Sequence, residues 1–379
     1  MSKVKPTVLA YYFPNWHVDP RNERWHGKGW TEWEVVKCAR PRFEGHKQPK
    51  VPLWGYLDES KPEVMEQKID AAVNYGVDGF IFDWYWFNDG GYRLGCIDNG
   101  FLNAKNCEKA KFGIMWCNHD PIYAHPAGKH TGNVPLLSGD LTVQSFYEGT
   151  EHCIKHYFPR LNYLRNSKGN LYFCIYLTQK LMDNLGGADG VRIVLQDFRS
   201  RVRAAGLGEL DLNAIAEFCP DFFEDTQKCL QIMKYMGFDS FCSHGCPQGI
   251  VDDLEWPLRD YRRCMERSIA QFGDYTAMCG DMPYNIHLYE GYDLSPRTIQ
   301  SEIYGPYGGF FDRIMSNNEP ELFQQLCQAG KAFYDAHATG EYITVYSWNE
   351  WTEGGYLEPD TDNGYGHLQA IKNVFKKDE

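Results

Sequence analysis

The sequence lacks the marks of several protein classes. It has no run of about 18 apolar residues, so no transmembrane helix is predicted. No cluster of Lys or Arg stands out and the formal net charge is -13, so neither nucleic acid nor an anionic membrane is an expected partner. A G-x-S-x-G elbow, an H-E-x-x-H motif and a G-x-G-x-x-G loop after the first predicted strand are also missing. These absences disfavour an α/β-hydrolase, a zinc peptidase and a dinucleotide-binding enzyme.

The cysteines and the N-terminus bear on the cellular compartment. Thirteen cysteines, an odd number, lie at irregular spacings and often within apolar runs, which favours buried free thiols over a disulfide framework. The tightest cluster, 242–246, has no second ligand pair at zinc-like spacing, so loop thiols are favoured over a metal site. No signal-peptide pattern opens the sequence. We expect a cytoplasmic protein if Met1 is native, and a periplasmic or secreted one if a signal peptide has been removed.

Eight short apolar runs predict strands, and helical stretches separate several of them. The predicted strands span residues 7–13, 77–85, 112–117, 171–176, 212–216, 240–242, 275–279 and 342–346. Alternating strands and helices indicate parallel βα units. We therefore predict an α/β fold, a single-domain (β/α)8 TIM barrel over residues 1–379, with an open doubly wound sheet as the alternative. A long loop is expected at about 15–56, on the face formed by the carboxyl ends of the strands.

Aromatic, acidic, amide and imidazole side chains recur where these strands end or in the loops beyond. Active sites of TIM barrels lie at the carboxyl ends of strands, and this mixture of side chains is typical of a carbohydrate site. Core packing explains any single ring equally well, so the prediction depends on the recurrence. The candidate substrate-binding residues are Trp30, Glu32, Asp83, Trp84, Trp86, Trp116, Asn118, His119, Asp281, Tyr284, Asn349 and Glu358.

Glu350 and Glu353 are the candidate catalytic pair. They follow the predicted strand 342–346 and lie among rings, and paired carboxyl groups supply the acid and base of glycosidic cleavage. Residues three apart on an extended strand face opposite sides, so we expect a turn after Trp348. Ion pairing or helix capping is the alternative role for the pair.

Five motifs in the sequence resemble those of glycoside hydrolase family 99-like proteins, including the WbsX-like group. They are Tyr11-Tyr12-Phe13-Pro14 and the segments 29–33, 43–49, 75–80 and 348–359. The resemblance implies a (β/α)8 barrel that cleaves α-mannosidic bonds with retention through a 1,2-anhydro sugar. It implies that Glu350 is the base at the sugar 2-hydroxyl and Glu353 the general acid/base. It also implies that Asn349 contacts substrate, and that no metal or other cofactor is needed. Tyr11, in the first of these motifs, is a further candidate substrate-binding residue.

The expected substrate is an oligosaccharide or polysaccharide with a 1,2-trans α-linkage, as in α-mannosides and α-rhamnosides. Asp83 stands where an aromatic residue is expected in the WbsX-like group, which makes a changed substrate plausible. Two other functions stay open: a glycosyltransferase of surface polysaccharide synthesis, and a non-catalytic glycan-binding barrel. A barrel of this size is expected to be a monomer or a weak homo-oligomer.

Overall fold

A computed structural model describes residues 5–132 and 134–376, and it contains a closed barrel of eight parallel strands. The strands are Thr7–Tyr12 (β1), Gly79–Phe87 (β2), Lys111–Trp116 (β3), Leu171–Ile175 (β4), Leu210–Ile215 (β5), Ser240–Cys242 (β6), Ile286–Tyr289 (β7) and Tyr342–Tyr346 (β8). Their order around the barrel is β6-β5-β4-β3-β2-β1-β8-β7. Phe241 closes the ring by pairing with Tyr284, just before β7. The predicted (β/α)8 barrel is confirmed.

Most of the helices surround the barrel, and the first two lie in the loop after β1, at the carboxyl ends of the strands. The helices are Pro20–His26 (α1), Trp33–Cys38 (α2), Pro62–Asn74 (α3), Val143–His156 (α4), Thr178–Leu185 (α5), Gly187–Ala204 (α6), Thr226–Met236 (α7), Tyr261–Cys279 (α8), Pro320–His337 (α9) and Gly366–Phe375 (α10). The connection after β2 is the exception, since a π-helical turn at Cys96–Gly100 and two short 3₁₀ turns replace an α-helix there. No described helix is long and apolar enough to cross a bilayer.

The strands are buried on both sides, so their side chains divide between two cores. On β1, Leu9 and Tyr11 point into the barrel, whereas Val8 and Tyr12 pack against the surrounding helices. This alternation follows from the two-residue period of a strand. It also explains why the strands read as continuous apolar runs in the sequence. The cysteines that fill these cores are free thiols, in line with the sequence-based expectation.

The predicted strand at 275–279 is wrong, because these residues form the last turn and a half of α8. Asp260 begins that helix by accepting a hydrogen bond from the Arg262 backbone at 2.9 Å. Tyr261, Cys264 and Phe272 continue its buried face at helical spacing. The apolar run was therefore the buried stripe of a helix, and the seventh strand starts at Ile286.

The segment predicted as a long loop at 15–56 contains α1 and α2. Asp19 caps α1 through a 2.8 Å hydrogen bond from the Arg21 backbone, and Pro20 occupies the first helical position. Asp19 followed by Pro20 is a helix-start signal that the sequence itself contains. The segment also contacts the loop after β8, where the Leu53 backbone donates to Pro359. A single domain over 1–379 stays a prediction.

Candidate active site

A cavity of about 650 Å³ lies in the barrel mouth, at the carboxyl ends of the strands. Among the predicted site residues, its walls include Asp83, His119, Glu350 and Glu353. The volume suits a few sugar rings rather than a whole polysaccharide. The cavity therefore brings the predicted catalytic pair together with two of the predicted substrate-binding residues.

A tight turn after β8 places Glu350 and Glu353 on the same side. The Ser347 hydroxyl accepts a hydrogen bond from the Glu350 backbone at 2.9 Å and donates to the Gly355 carbonyl at 2.8 Å. The Glu353 backbone then donates to the Glu350 carbonyl at 3.0 Å. The turn expected after Trp348 is present, and it removes the obstacle that an extended strand would pose.

Arg297 holds three carboxyl groups together in the cavity wall. Its Nη2 atom lies 3.2 Å from Glu32 Oε1 and 3.4 Å from Glu350 Oε2, and its Nη1 atom donates to Glu353. Its Nε atom donates to the Thr352 hydroxyl at 2.9 Å. Arg297 is nearly buried, so its positive charge acts in a region of low dielectric and offsets the mutual repulsion of the acids.

The acids of this cluster differ in their affinity for a proton. Burial raises the pKa of the Glu350 carboxyl well above its usual range, and the neighbouring Glu353 raises it further, against the pull of Arg297. Burial alone would also raise the pKa of Glu32. His125, 3.3 Å away, and Arg297 instead hold the pKa of Glu32 well below its ordinary value. The cluster thus contains an ionised Glu32 beside a Glu350 that keeps its proton to a higher pH than an exposed glutamate does.

Asp83 projects from β2 into the cavity without a partner. It is only 4% exposed, and its Oδ1 atom has no hydrogen-bond partner among the described residues. Burial raises the pKa of Asp83 well above its usual range, and Glu353 adds to the effect. A protonated carboxyl group in this position can donate a hydrogen bond to a substrate oxygen.

Three of the four predicted tryptophans, Trp84, Trp86 and Trp116, lie on β2 and β3 and do not line the cavity. Asp83 points inward, so Trp84 and Trp86, which are one and three residues further along β2, point outward. Their rings stack with centroids 5.4 Å apart. Trp116 faces the same layer and stacks on Phe146 of α4 at 5.3 Å. These rings pack the barrel against its helices, and the sugar-stacking role predicted for them is not supported by their position.

Asn118 and Tyr11 are also engaged outside the cavity, whereas His119 lines it. The Asn118 side chain donates to the Leu177 carbonyl at 2.9 Å and accepts from the Leu177 backbone at 2.8 Å, which joins the loops after β3 and β4. The Tyr11 hydroxyl donates to the Ser243 carbonyl at 2.9 Å inside the barrel. Burial lowers the pKa of the His119 imidazole, so the ring is neutral near pH 7.

Asp281 and Tyr284 follow the strand that the sequence predicts at 275–279, and the structure has a helix there instead. Asp281 lies on the surface between α8 and β7, with an exposed carboxylate paired to Lys234. Tyr284 is buried, and its hydroxyl lies 2.7 Å from the Ser243 hydroxyl behind the cavity wall. Both precede β7 rather than follow it, so the structure places neither in the cavity.

The predicted loop residues Trp30 and Glu32 border the site in different ways. Trp30 is half-buried, with its ring centroid 4.2 Å from His26 and 5.7 Å from His125, both of which line the cavity. Glu32 is fully buried as an anchor of the Arg297 cluster. The loop after β1 therefore contributes a ring near the cavity rim and a carboxylate behind its wall.

Glu358 supports the turn from beneath and does not reach the cavity. Its two carboxylate oxygens accept the indole N–H groups of Trp348 and Trp351 at 2.9 and 2.8 Å. Lys68 of α3 lies 2.6 Å from the same carboxylate, and both side chains of this ion pair are buried. The tryptophans on either side of Glu350 in the sequence are therefore fixed by one buried acid.

Asn349 pins the same turn to β1. Its side-chain oxygen accepts the Phe13 backbone N–H at 2.8 Å, and its amide nitrogen donates to the Phe13 carbonyl at 2.9 Å. The amide nitrogen also lies 2.9 Å from Glu59, the second acid bound by Lys68. Asn349 is fully buried with these bonds made, so the structure contradicts its predicted contact with substrate.

The motif at 43–49 supports the catalytic turn through Asp293. His46 Nε2 lies 2.8 Å from Asp293 Oδ2, and the Gln48 side chain donates to the same oxygen at 2.7 Å. The Asp293 backbone donates to the Glu353 carbonyl at 2.6 Å, and Asp293 Oδ1 accepts the first N–H of the 3₁₀ turn Ser295–Arg297. This motif therefore positions both Glu353 and Arg297, although none of its residues needs to contact substrate.

Two further residues of the site were missed from sequence. Arg297 follows β7, and the wrong position of that strand hid it. Tyr346 ends β8, lines the cavity and donates its hydroxyl to Glu353. Its place at the end of the strand was a usable signal, since alternate residues on β8 share the inward face.

Comparison with known proteins agrees with this architecture. Among solved structures, the GH99 endo-alpha-mannosidase from Bacteroides thetaiotaomicron has a TM-score of 0.57 at 15% identity, over 98% of this chain and 97% of that one. A glycoside hydrolase-like protein has a TM-score of 0.64 at 15% identity, over 100% and 96% of the two chains. At these identities the similarity shows a shared fold alone, that of a TIM barrel.

The sequence comparisons define the family. A family model described as "Glycosyltransferase WbsX" matches residues 8–371, so the chain belongs to the WbsX family. The resemblance seen in the motifs is thereby confirmed. The uncharacterized protein WxcX of Xanthomonas campestris pv. campestris is 26% identical over 396 aligned residues, which cover 98% of this chain. The alignment covers 50% of WxcX, so the chain spans about half the length of the curated relatives it matches.

Lys68→Met should weaken the fold by about 3–5 kcal/mol, because it leaves Glu358 and Glu59 buried without a cation. Urea unfolding followed by circular dichroism measures the change. Lys109→Met is the control, since it removes only an exposed partner of Asp70 and should cost about 1 kcal/mol or less. A loss for Lys68→Met no larger than that of the control would contradict the anchoring role.

Asp83→Asn should stabilise the protein near neutral pH. The unfolded chain ionises Asp83 at its ordinary pKa, whereas the folded cavity raises that pKa, so folding is penalised at every pH above the ordinary value. Removing the penalty should add roughly 0.5–2 kcal/mol at about pH 8, with a gain that shrinks as the pH falls toward about 4. Unfolding curves across this pH range test the sign of the change in stability. Asp281→Asn, at an exposed ion pair, should give no gain, and a pH-independent gain for Asp83→Asn would refute the account.

Proposed function

We propose that this protein is a retaining glycoside hydrolase that cleaves 1,2-trans α-linked glycans of the mannoside or rhamnoside type. The observation that supports this most is the pairing of Glu350 and Glu353 on one turn, both lining a cavity in the mouth of a barrel. Carboxyl pairs of this kind carry glycosidic cleavage in many unrelated enzymes. The fold shared with a GH99 endo-alpha-mannosidase adds support for the substrate class.

The proposed reaction has two steps and returns both carboxyl groups to their starting states. In the first, Glu350 takes the proton of the sugar 2-hydroxyl, whose oxygen attacks C1, while Glu353 protonates the departing glycosidic oxygen. In the second, Glu353 takes a proton from water, which attacks C1 and opens the 1,2-anhydro ring, and Glu350 returns a proton to O2. Two inversions at C1 give net retention.

The electrostatics of the cluster suit these roles. A hydroxyl is a weak acid, so its deprotonation favours a base stronger than an exposed glutamate. Glu350 acts in its ionised form, and burial and the nearby Glu353 make that carboxylate a stronger base because they raise its pKa. Glu353 receives hydrogen bonds from Arg297 and from the Tyr346 hydroxyl. These donors fix its orientation for proton transfer to and from the glycosidic oxygen.

A glycosyltransferase is the second candidate, because the description of the matching family model favours it. A transferase would bind an activated sugar nucleotide as donor. Thermal-shift measurements with GDP-mannose and UDP-glucose, beside free α-mannan and rhamnan oligosaccharides, separate the two functions. Stabilisation by a sugar nucleotide together with transfer to an acceptor glycan would replace the hydrolase proposal.

Glu350→Gln and Glu353→Gln should each lower turnover by about 10²–10⁴-fold with the fold intact, because each removes one proton-transfer group. Product analysis on α-mannans and rhamnose-containing polysaccharides first identifies a cleaved glycan, and initial rates on it measure the loss. Glu224→Gln is the control, since Glu224 is exposed and does not line the cavity. If both active-site variants kept the wild-type rate, the assignment would be wrong.

A further inference from the structure

Three arginines line the cavity, and one of them lacks an acidic partner. Arg297 is bound to the acid cluster, and Arg259 pairs with Asp252 at 2.7 Å. Arg93 makes no ion pair within 4.0 Å with any residue that the structure describes, although it is only 8% exposed. A guanidinium group stays charged at any physiological pH, so the cavity contains an unpaired positive charge.

Rings surround the Arg93 guanidinium, and the Tyr92 hydroxyl hydrogen-bonds to it, but its Nε–H group is left without an acceptor among the described residues. Its central carbon lies 4.8 Å from the ring centres of Phe13 and Tyr85 and 4.5 Å from that of Tyr92. Cation–π contacts of this kind stabilise the faces of the group, whereas its hydrogen bonds lie in its plane. The Nε atom has no acceptor among the described residues, and the Tyr92 hydroxyl beside it gives its proton to Asn22.

Neither Glu32 nor Asp83 makes an ion pair with Arg93, although the Glu32 carboxylate favours its charged form. Glu32 already accepts hydrogen bonds from Asn15 and Thr352, each at 2.5 Å, and is bound by Arg297. Asp83, which also lines the cavity, has its pKa raised by burial, so it keeps its proton to a higher pH than an exposed aspartate does. An unpaired buried charge is costly, so its retention indicates that something else supplies the anion.

The backbone of Arg93 points to the same conclusion. Its φ of 60° lies in the left-handed region, which is rare for residues other than glycine. The backbone N–H is fixed there by Asp19 Oδ2 at 3.1 Å. Glycine or asparagine would adopt this conformation at lower cost, so the arginine side chain is retained against a conformational penalty.

We propose that Arg93 binds a carboxylate carried by the substrate, and that the substrate is therefore an acidic glycan, with a uronic acid residue beside the cleaved bond. A planar carboxylate matches the fork of a guanidinium and can receive two parallel hydrogen bonds. A monoanion balances the single charge of Arg93. A nucleotide diphosphate would bring two negative charges next to Glu350 and Glu353. This inference rests on the proposed function for the position of the cleaved bond, but the anion site itself does not.

The test compares one glycan with and without its carboxylate. Glucuronic acid-containing α-mannan oligosaccharides are measured beside the same oligosaccharides after reduction of the carboxyl group to the alcohol. Calorimetric binding uses the Glu353→Gln protein, so that turnover does not intervene, and initial rates use the wild-type protein. We expect the acidic form to bind about 10-fold to 100-fold more tightly. Arg93→Gln should abolish the preference and Arg93→Lys should restore part of it.

Arg21→Gln is the matched control. Arg21 is as buried as Arg93 and also stacks on Tyr92, but it pairs with Asp89 and does not line the cavity. It should lower thermal stability without changing the preference for the acidic form.

Equal affinities for the two glycans, or an equal loss on both in Arg93→Gln, would overturn the inference. GDP-mannose or UDP-glucose binding that Arg93→Gln abolishes would also overturn it. Arg93-dependent binding of the acidic glycan without any cleavage would uphold the anion site and reject the hydrolase.

Discussion

One buried guanidinium, that of Arg297, keeps three acidic side chains from two separate segments within a single wall of the barrel mouth. Without a positive charge, Glu32, Glu350 and Glu353 would repel one another in a region that excludes most water. Their segments follow β1 and β8, and Arg297 follows β7; these are neighbouring strands of the closed barrel. Barrel closure and the charge of Arg297 are therefore the two conditions for the site to exist.

The turn that carries the pair is built on buried polar anchors. Below it, Glu358 and Lys68 fix two tryptophans, and Asn349 ties the turn to β1. Beside it, Asp293 links the segment 43–49 to Glu353. Such anchors add little net stability compared with apolar packing, but each admits few alternative geometries. The site is therefore preorganised: the entropy of fixing its side chains is lost during folding rather than during the reaction.

Much of this arrangement could be predicted from the sequence. The barrel followed from eight apolar runs, seven of which are strands, and the turn at Glu350 and Glu353 followed from its motif. The errors have physical causes. The buried face of α8 has the same apolar pattern as a strand over five residues. The false strand put Asp281 and Tyr284 at a predicted strand end, although both precede β7. The outward direction of Trp84 could have been predicted from the sequence. Neighbouring residues on a strand point to opposite sides, and the acidic Asp83 is expected to face the cavity.

Other features could not be read from local patterns. Arg297 contacts Glu32 across 265 positions of sequence, and no spacing rule connects them. The roles of Glu358 and Asn349 depend on which face of the turn they occupy, which the sequence does not specify. The lack of an acidic partner for Arg93 among the described residues is a property of the assembled cavity alone.

The stereochemistry of the first product tests the central claim most directly. Proton NMR during hydrolysis of a 1,2-trans α-linked glycan reports the anomer released before mutarotation. Participation by the 2-hydroxyl, with Glu350 and Glu353 in the proposed roles, predicts that the α-anomer forms first. Release of the β-anomer first would show a single inversion at C1 and would contradict the mechanism built on this pair.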